Sequence, residues 1–391
     1  MLIFMKLLQM ATPSDSDFPA IVMDCGSEMV KAGLASNSIP DVVFQTVLAF
    51  DHQFCAPLGK QYATLVGNQV IHSILRENYL VKKYPVENGI VISHDYMEHI
   101  WRHIFFNELK VDPEDHPILL TEAPLNPKYN REKSVQVFFE YLEVPSICLS
   151  QQPVLSLYRS GRTTGVVLDS GEGLTHAVPV YEGHALPYAM ESLDLAGGGV
   201  SSFLSKTLTE KGVEYIPELK LKEGIREIKK KFCYVAQDYE RELTTAAMSS
   251  SLEEMYKLPD DQTVTIGLER FRAPEILFQP TINGVDDVGI HEKLYNSIMN
   301  CNADLQNDLF RNINLSGGTS MFPGFENRLT KKVMELASHS TEVNVFAPPE
   351  RSYSAWIGGS IFASHSSFQK MSISKKEYDE AGSSLVHRYC F

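Results

Sequence analysis

Apolar and polar positions alternate in one figure that occurs twice. An apolar run, Ile21-Val22-Met23, stops on Asp24, turns through Cys25-Gly26-Ser27-Glu28 and resumes over Met29-Val30-Lys31. Further on, Val166-Val167-Leu168 stops on Asp169, turns through Ser170-Gly171-Glu172-Gly173 and resumes over Leu174-Thr175-His176. An apolar run, a small-residue turn with glycine and a second run predict a β-hairpin in each case. The two aspartates stand 145 positions apart. That is the length of a domain, so the repeat predicts a duplicated fold rather than a solenoid of short units.

The sequence between the hairpins has helical period. After Ser93, a good N-cap, Met97, Ile100, Trp101, Ile104 and Phe105 fall on one apolar helical face. In the second half Ile225, Ile228, Phe232, Val235 and Ala236 repeat that spacing. Strand–turn–strand units alternating with helices predict an α/β class. Residues 45–84, rich in Gly, Pro and polar side chains, predict a small exposed subdomain.

The chain has 391 residues, more than the ~250–300 at which a single core stops growing, so two lobes are expected. A hydrophobic fraction of 43% with 21% charged residues is that of an ordinary folded protein. No stretch reaches the ~18 apolar residues of a membrane span. Residues 1–8 are apolar except for Lys6, but the run is short and no A-x-A site follows. It reads as a flexible extension and not as a signal peptide. The net charge of −14 argues against a nucleic-acid partner, and the basic run 229–231 reads as a solvated helix face. Six scattered cysteines without a CxxC pair fit reduced thiols in the cytoplasm or nucleus.

Three turns carry candidate chemistry. In the first, backbone N–H groups around Gly26 and Ser27 make an anion nest, Lys31 adds charge, and Asp24 suits a hydrated cation. Taken alone it is more often an ordinary hairpin turn. The second turn brings two glycines and a carboxylate, Asp169, at the end of an apolar strand, where burial is costly without a partner. The third runs Leu315-Ser316-Gly317-Gly318-Thr319-Ser320-Met321-Phe322-Pro323-Gly324, and its Gly-Gly step lets a flat base approach backbone. No Walker sequence, no G-x-G-x-x-G and no G-x-S-x-G is present. His99 and His103, four apart on one helix, read as surface histidines, since neither HExxH nor a third ligand accompanies them.

At these turns the sequence resembles actin, and the likeness runs from about residue 17 to the end. It is closest over 116–133, 154–183 and 347–364. The resemblance implies an α/β, two-lobed actin-like ATPase fold: duplicated ribonuclease-H-like domains with a central nucleotide cleft. The expected parts are an extension at 1–17, a first lobe of 18–159 plus 354–391 with a small subdomain near 45–84, and a second lobe of 160–353 with a subdomain near 196–285. It implies ATP or ADP with Mg²⁺ or Ca²⁺ as ligands. Ser27, Glu28, Met29 and Lys31 would form the first phosphate loop, and Gly171, Glu172, Gly173 and Leu174 the second. Asp24 and Asp169 would hold the cation through water. Gly197, Arg226, Lys229, Gly317, Gly318, Thr319, Met321 and Phe322 would line the adenosine end. Gln152 and His176 match the residues that orient the attacking water. A neutral Gln aligns water but is a poor base, so hydrolysis is expected to be slow.

Several positions depart from the family pattern. Glu28 stands where the first loop has Gly. A carboxylate ~4 Å from a phosphate charge repels it by about 4 kcal/mol at an effective dielectric near 20, and a non-Gly residue is expected to fit the turn's backbone angles poorly. Lys230 replaces an acidic residue at the ribose, Ser352 a lysine over the adenine, Asn88 a histidine near the phosphate-sensing loop, and Gly198-Gly199 a charged pair. The segment 49–63 is unlike the family's docking loop, and Asn283, Asp286 and Asp287 make the hydrophobic plug at 281–288 more polar. Actin-binding proteins are expected at a lower cleft marked by Tyr158, Gly161, His184, Phe362 and His365. The expected role is cytoskeletal, in the cytoplasm or nucleus: an ATP–Mg²⁺-binding protein that polymerises, copolymerises with or caps actin filaments. The alternative is a non-polymerising structural subunit of a larger complex, of the dynein-arm or chromatin-remodelling type.

Overall fold

The structure, a computed structural model, describes residues 18–51, 63–74, 81–211, 218–257 and 263–389. The expected extension at 1–17, most of the divergent docking segment, Cys55 and Cys390 lie outside the described residues. The chain forms two compact units. One comprises Met1–Val167, Val180–Pro187 and Tyr353–Phe391, and the other Leu168–Pro179 and Tyr188–Ser352.

The first unit is built on a six-stranded sheet in the order Ile373–Ser374, Ser146–Gln151, Ile118–Glu122, Ile21–Cys25, Met29–Leu34, Val42–Gln45. The predicted first hairpin is present, with Asp24 opposite Lys31. The strand Ile118–Glu122 runs parallel to both of its neighbours. Parallel strands need cover on both faces, and Ile21, Val22, Met23, Ile118, Leu119 and Ile147 are all fully or almost fully buried. One covering element is the helix Ser354–Ala363, whose Trp356 indole donates to the Val22 carbonyl at 3.0 Å. Gly358 lets this helix cross the helix Gln152–Arg159, because a Cβ there would run into the Leu155 backbone.

Ser93 caps the helix His94–His103 as predicted, accepting from Tyr96 N–H at 3.4 Å, and the face Met97, Ile100, Trp101, Ile104 and Phe105 is buried. The chain continues through a π-helical turn, Ile104–Leu109, ending on left-handed Lys110. His103 is not a surface histidine: it is buried, pairs with Glu108 at 3.0 Å and meets the Phe44 ring edge-on. His99 is exposed. The described part of 45–84 forms a three-stranded sheet, Leu48–Asp51, Ala63–Val66 and Val81–Lys83, with the helix Asn68–Ile74. Leu48 and Val66 are buried in the same hydrophobic core as Met97 and Trp101, so the segment packs onto the core of the unit.

The second unit has a sheet in which Thr175–Tyr181, Gly165–Ser170, Ile313–Ser316 and Val345–Phe346 are successive neighbours, with Glu191–Leu193 paired antiparallel to the first of them. The chain enters the unit within Gly165–Ser170, so this hairpin carries the second turn. The helix Glu218–Phe232 ends at Phe232, earlier than its spacing predicts. Val235 and Ala236 are buried in the connection that follows, where Val235 N–H donates to Pro323 O and Ala236 O accepts from Arg328. Tertiary contacts therefore bury these two residues without a helix. Arg328 also pairs with fully buried Glu275 at 2.9 Å.

Candidate functional site

In the first unit the turn closes with Gly26 N–H donating to Met29 O at 3.0 Å. Thr46 braces it from the next strand, with Oγ1 donating to Gly26 O at 2.7 Å and N–H to Glu28 O at 2.8 Å. Glu28 keeps a negative φ, so the turn takes a side chain there without backbone strain, contrary to expectation. Asn88 is the residue with left-handed backbone, at φ 49, and Gly89 follows at φ 75. Together they form the two-residue turn of the hairpin Val86–Glu87/Ile90–Val91, the geometry that Asn-Gly favours. The Asn-Gly pair signalled this hairpin in the sequence, and it escaped notice. Gly89 N–H donates to Ser27 Oγ at 2.8 Å, so Ser27 accepts here and keeps its own hydrogen to donate elsewhere.

Asp24 is 2% exposed. Its Oδ2 pairs with Lys31 Nζ at 2.8 Å. Its Oδ1 accepts from Thr121 Oγ1 at 2.7 Å and from Gln152 Nε2 at 2.7 Å. Burial alone would push its pKa up. The Lys31 charge and the three hydrogen bonds outweigh burial and hold the carboxyl below its ordinary value. Asp24, Lys31 and Gln152, expected to act together, are thus one cluster. Thr121 is a member that the sequence reading missed. Gln152 is also the first residue of the helix Gln152–Arg159, so a helix-start position and a place in the cluster coincide.

In the second unit Gly171 N–H donates to Leu174 O at 3.2 Å, closing the turn. The helix Gly197–Glu210 is stitched to it: Gly197 N–H donates to Gly171 O at 3.0 Å and Gly198 N–H to Glu172 O at 2.8 Å. Thr319 Oγ1 donates to Gly171 O at 2.6 Å, which brings the third turn to the second. Two glycines permit this closeness. A Cβ on Gly197 would meet the Glu172 carboxylate and the Thr319 hydroxyl, and a Cβ on Gly317, at φ 86, would meet Ser170 O.

Lys229, read in sequence as part of a solvated run, is buried. It donates to Glu172 Oε2 at 2.9 Å and to Gly197 O at 3.0 Å. Its neighbours Lys230 and Lys231 are exposed. Arg226 pairs with Glu223 one turn away at 2.9 Å. Met321 is partly exposed, Phe322 is buried and Gly318 has open space around it. Asp169 is half-buried at the end of its strand. His176 sits two residues beyond the turn, and burial lowers its pKa although Asp194 pulls the other way, which favours the neutral ring.

The residues expected at a partner surface belong to the first unit. Gly161, at φ 69, has nothing within 4 Å of where a Cβ would stand, and His184 is exposed. Phe362 and His365 are buried, with Phe362 6.1 Å from the Tyr158 ring, so they shape this surface from beneath. Burial pushes the Cys25 and Cys233 thiols up to about 12, and they are not reactive thiolates.

Within the first unit the donor set suits a phosphate with a hard cation: N–H groups in a glycine turn, a serine hydroxyl, a lysine, and a carboxylate able to hold a metal through water. Among known families, the model described as Actin matches residues 15–224 and 219–391.

Proposed function

The chain belongs to the actin family, and on that premise we propose that it binds ATP with Mg²⁺, hydrolyses it slowly and works through self-association or actin-type partners. The observation that carries the reading is the Asp24 cluster. A buried carboxylate with a lowered pKa stands at the carboxyl end of a parallel strand, next to a lysine, with a glutamine amide anchored on it. In open α/β sheets that end of the strands is where ligands bind. The first turn would hold phosphates through Ser27, Met29 and Lys31, and the second through Gly171, Glu172, Gly173 and Leu174. Asp24 and Asp169 would hold the cation through water. Gln152 and His176 would orient the reacting water. Gly197, Arg226, Gly317, Gly318, Thr319, Met321 and Phe322 would serve the adenosine end, with Lys229 acting through Glu172.

Among the described residues no helix is long and apolar enough to cross a membrane. Nucleotide content of the purified protein and calorimetric titration with ATP and Mg²⁺ test the binding. A protein that carries no nucleotide and takes none up refutes it. Pelleting with and without conventional actin tests assembly.

One observation favours a second reading, a non-polymerising subunit of a larger complex. In the polar segment 281–288, Asp287 pairs with Lys293 at 3.0 Å and its Oδ1 accepts from Val288 N–H at 2.7 Å. A segment tied down by charge is a poor hydrophobic plug. Isolation of the native assembly distinguishes the two readings.

A further inference from the structure

The geometry points to Thr121 as a positioning residue, whose hydroxyl, by holding Asp24 and accepting from the Gln152 amide, helps fix which end of that amide faces the reacting water. The inference rests on the ATP-binding reading above and adds to it a residue that reading did not contain.

Thr121 lies near the carboxyl end of the strand Ile118–Glu122, between the strands that carry Asp24 and lead into Gln152. The register places Met23 opposite Leu120 on one side and Ser150 opposite Thr121 on the other. Asp24 and Gln152 therefore flank Thr121 because three parallel strands end together. Thr121 is 7% exposed, and its Oγ1 donates to Asp24 Oδ1 at 2.7 Å. A hydroxyl has one hydrogen to give. Having given it to Asp24, Thr121 Oγ1 can only accept from Gln152 Nε2, which lies 3.4 Å away. The same nitrogen donates to Asp24 Oδ1 at 2.7 Å, and the two acceptors are themselves 2.7 Å apart, so both lie on one side of the amide nitrogen.

The amide nitrogen is thus turned toward Asp24 and Thr121, and Oε1 is the end left to face a ligand. A carbonyl oxygen accepts a hydrogen from water and turns the water's lone pair away from itself, taking no proton. In the hydrolysis this serves, the water oxygen bonds the terminal phosphorus, the phosphorus–oxygen bridge breaks, ADP leaves with the bridging oxygen, and the water's proton ends on phosphate or solvent. Valine at 121 keeps the shape but removes both the donor that steadies Asp24 and the second acceptor for Gln152, which leaves the amide held on Asp24 alone and less firmly oriented.

The test uses the full chain with T121V, T121S, Q152A and the double variant T121V/Q152A. We expect T121V to keep ATP–Mg²⁺ affinity within about threefold and to lower single-turnover phosphate release about tenfold or more, as loss of orientation does. T121S should restore the rate, and the double variant should be no slower than Q152A, because the two residues act as one unit. A readout independent of turnover is the side-chain amide signal of Gln152 in ¹⁵N-glutamine-labelled protein, assigned by its loss in Q152A. It should move in T121V and return in T121S. Normal phosphate release in T121V, an unmoved amide signal, or additive losses in the double variant would overturn the role. A wild-type protein that binds ATP–Mg²⁺ but releases no phosphate also overturns it while leaving the binding reading standing. A wild-type protein that binds no ATP refutes that reading instead.

Discussion

Lys229 and Glu172 form an ion pair at 2.9 Å in which the lysine side chain is 7% exposed and the carboxylate 20%. The same ammonium donates to Gly197 O, so one buried charge ties a helix start to the second glycine turn. On the proposed reading Lys229 would act on a ligand by holding the turn's shape. Its direct reach toward an adenosine is limited, because two of its three hydrogens are spent on the protein.

Lys229→Met should therefore cost more than the contact it removes, since it takes the ammonium from the Glu172 carboxylate and one donor from Gly197 O. Breaking a fully buried pair costs about 3–5 kcal/mol, and the partial exposure of Glu172 brings the expectation down to about 2 kcal/mol. Urea unfolding measures it. Adding Glu172→Gln should recover much of the loss, because the double variant removes the carboxylate charge together with the ammonium it faced. A double variant as unstable as the single would show that the pair is not what matters.

Glu28 sits in the first turn with unstrained backbone, so its effect on a ligand is electrostatic. Replacing it with Gly should tighten ATP more than ADP, because the terminal phosphate charge is the one repelled. An effective dielectric near 20 sets a ceiling of about 4 kcal/mol, and rotation of the side chain toward solvent reduces that to about tenfold in affinity. Calorimetric titration of the two nucleotides decides it. Equal affinities before and after the replacement would mean that the carboxylate faces away.

Burial lowers the pKa of His94, His176 and His291 below the ordinary 6.5. Below that value the unfolded chain protonates these rings while the folded protein still keeps them neutral. The stability they contribute is present above about 6.5 and is lost as pH falls through the folded values. Glu122 and Glu275, pushed up mainly by burial, work in the opposite sense at and above 4.5. The urea midpoint should thus fall from about pH 7.5 to about 5.5. Replacing His291, which is stacked on Phe278, with Gln should flatten the curve. A midpoint that rises over this range contradicts the assignment.

The architecture was legible because it depends on period and repetition. The face from Met97 to Phe105 is the buried face, and each Asp-terminated apolar run became the first strand of a hairpin. Legibility failed where a residue's role is fixed by distant sequence. Lys229 looked solvated because its partners, Glu172 and Gly197, come from other elements. Val235 and Ala236 copied a helical period that tertiary contacts satisfy without a helix. Thr121 carried no local signal, since a threonine near a strand end is unremarkable until Asp24 and Gln152 arrive beside it. His103 shows the same limit from the other side: spacing marked it as helical but not which face His103 shares with Phe44.

The segment 281–288 gives the last prediction, because its charge pattern bears on assembly. Lys293 lies 3.0 Å from Asp287 and 3.7 Å from Glu191, which ties the segment to the helix Ile290–Met299 and that helix to the strand Glu191–Leu193. Lys293 is 17% exposed and Asp287 33%, so the pair is worth only about 0.2–1 kcal/mol to global stability. Locally that is enough to shift a short segment between held and released forms by up to about fivefold. Lys293→Met should leave the unfolding midpoint nearly unchanged while hydrogen exchange at 282–288 speeds up by a few fold, and salt should do the same to the wild type by screening. If the segment limits assembly by being held, the variant should pellet with conventional actin more readily than the wild type. If exchange speeds up and pelleting does not change, the latch exists but assembly is limited elsewhere, which favours the structural-subunit reading.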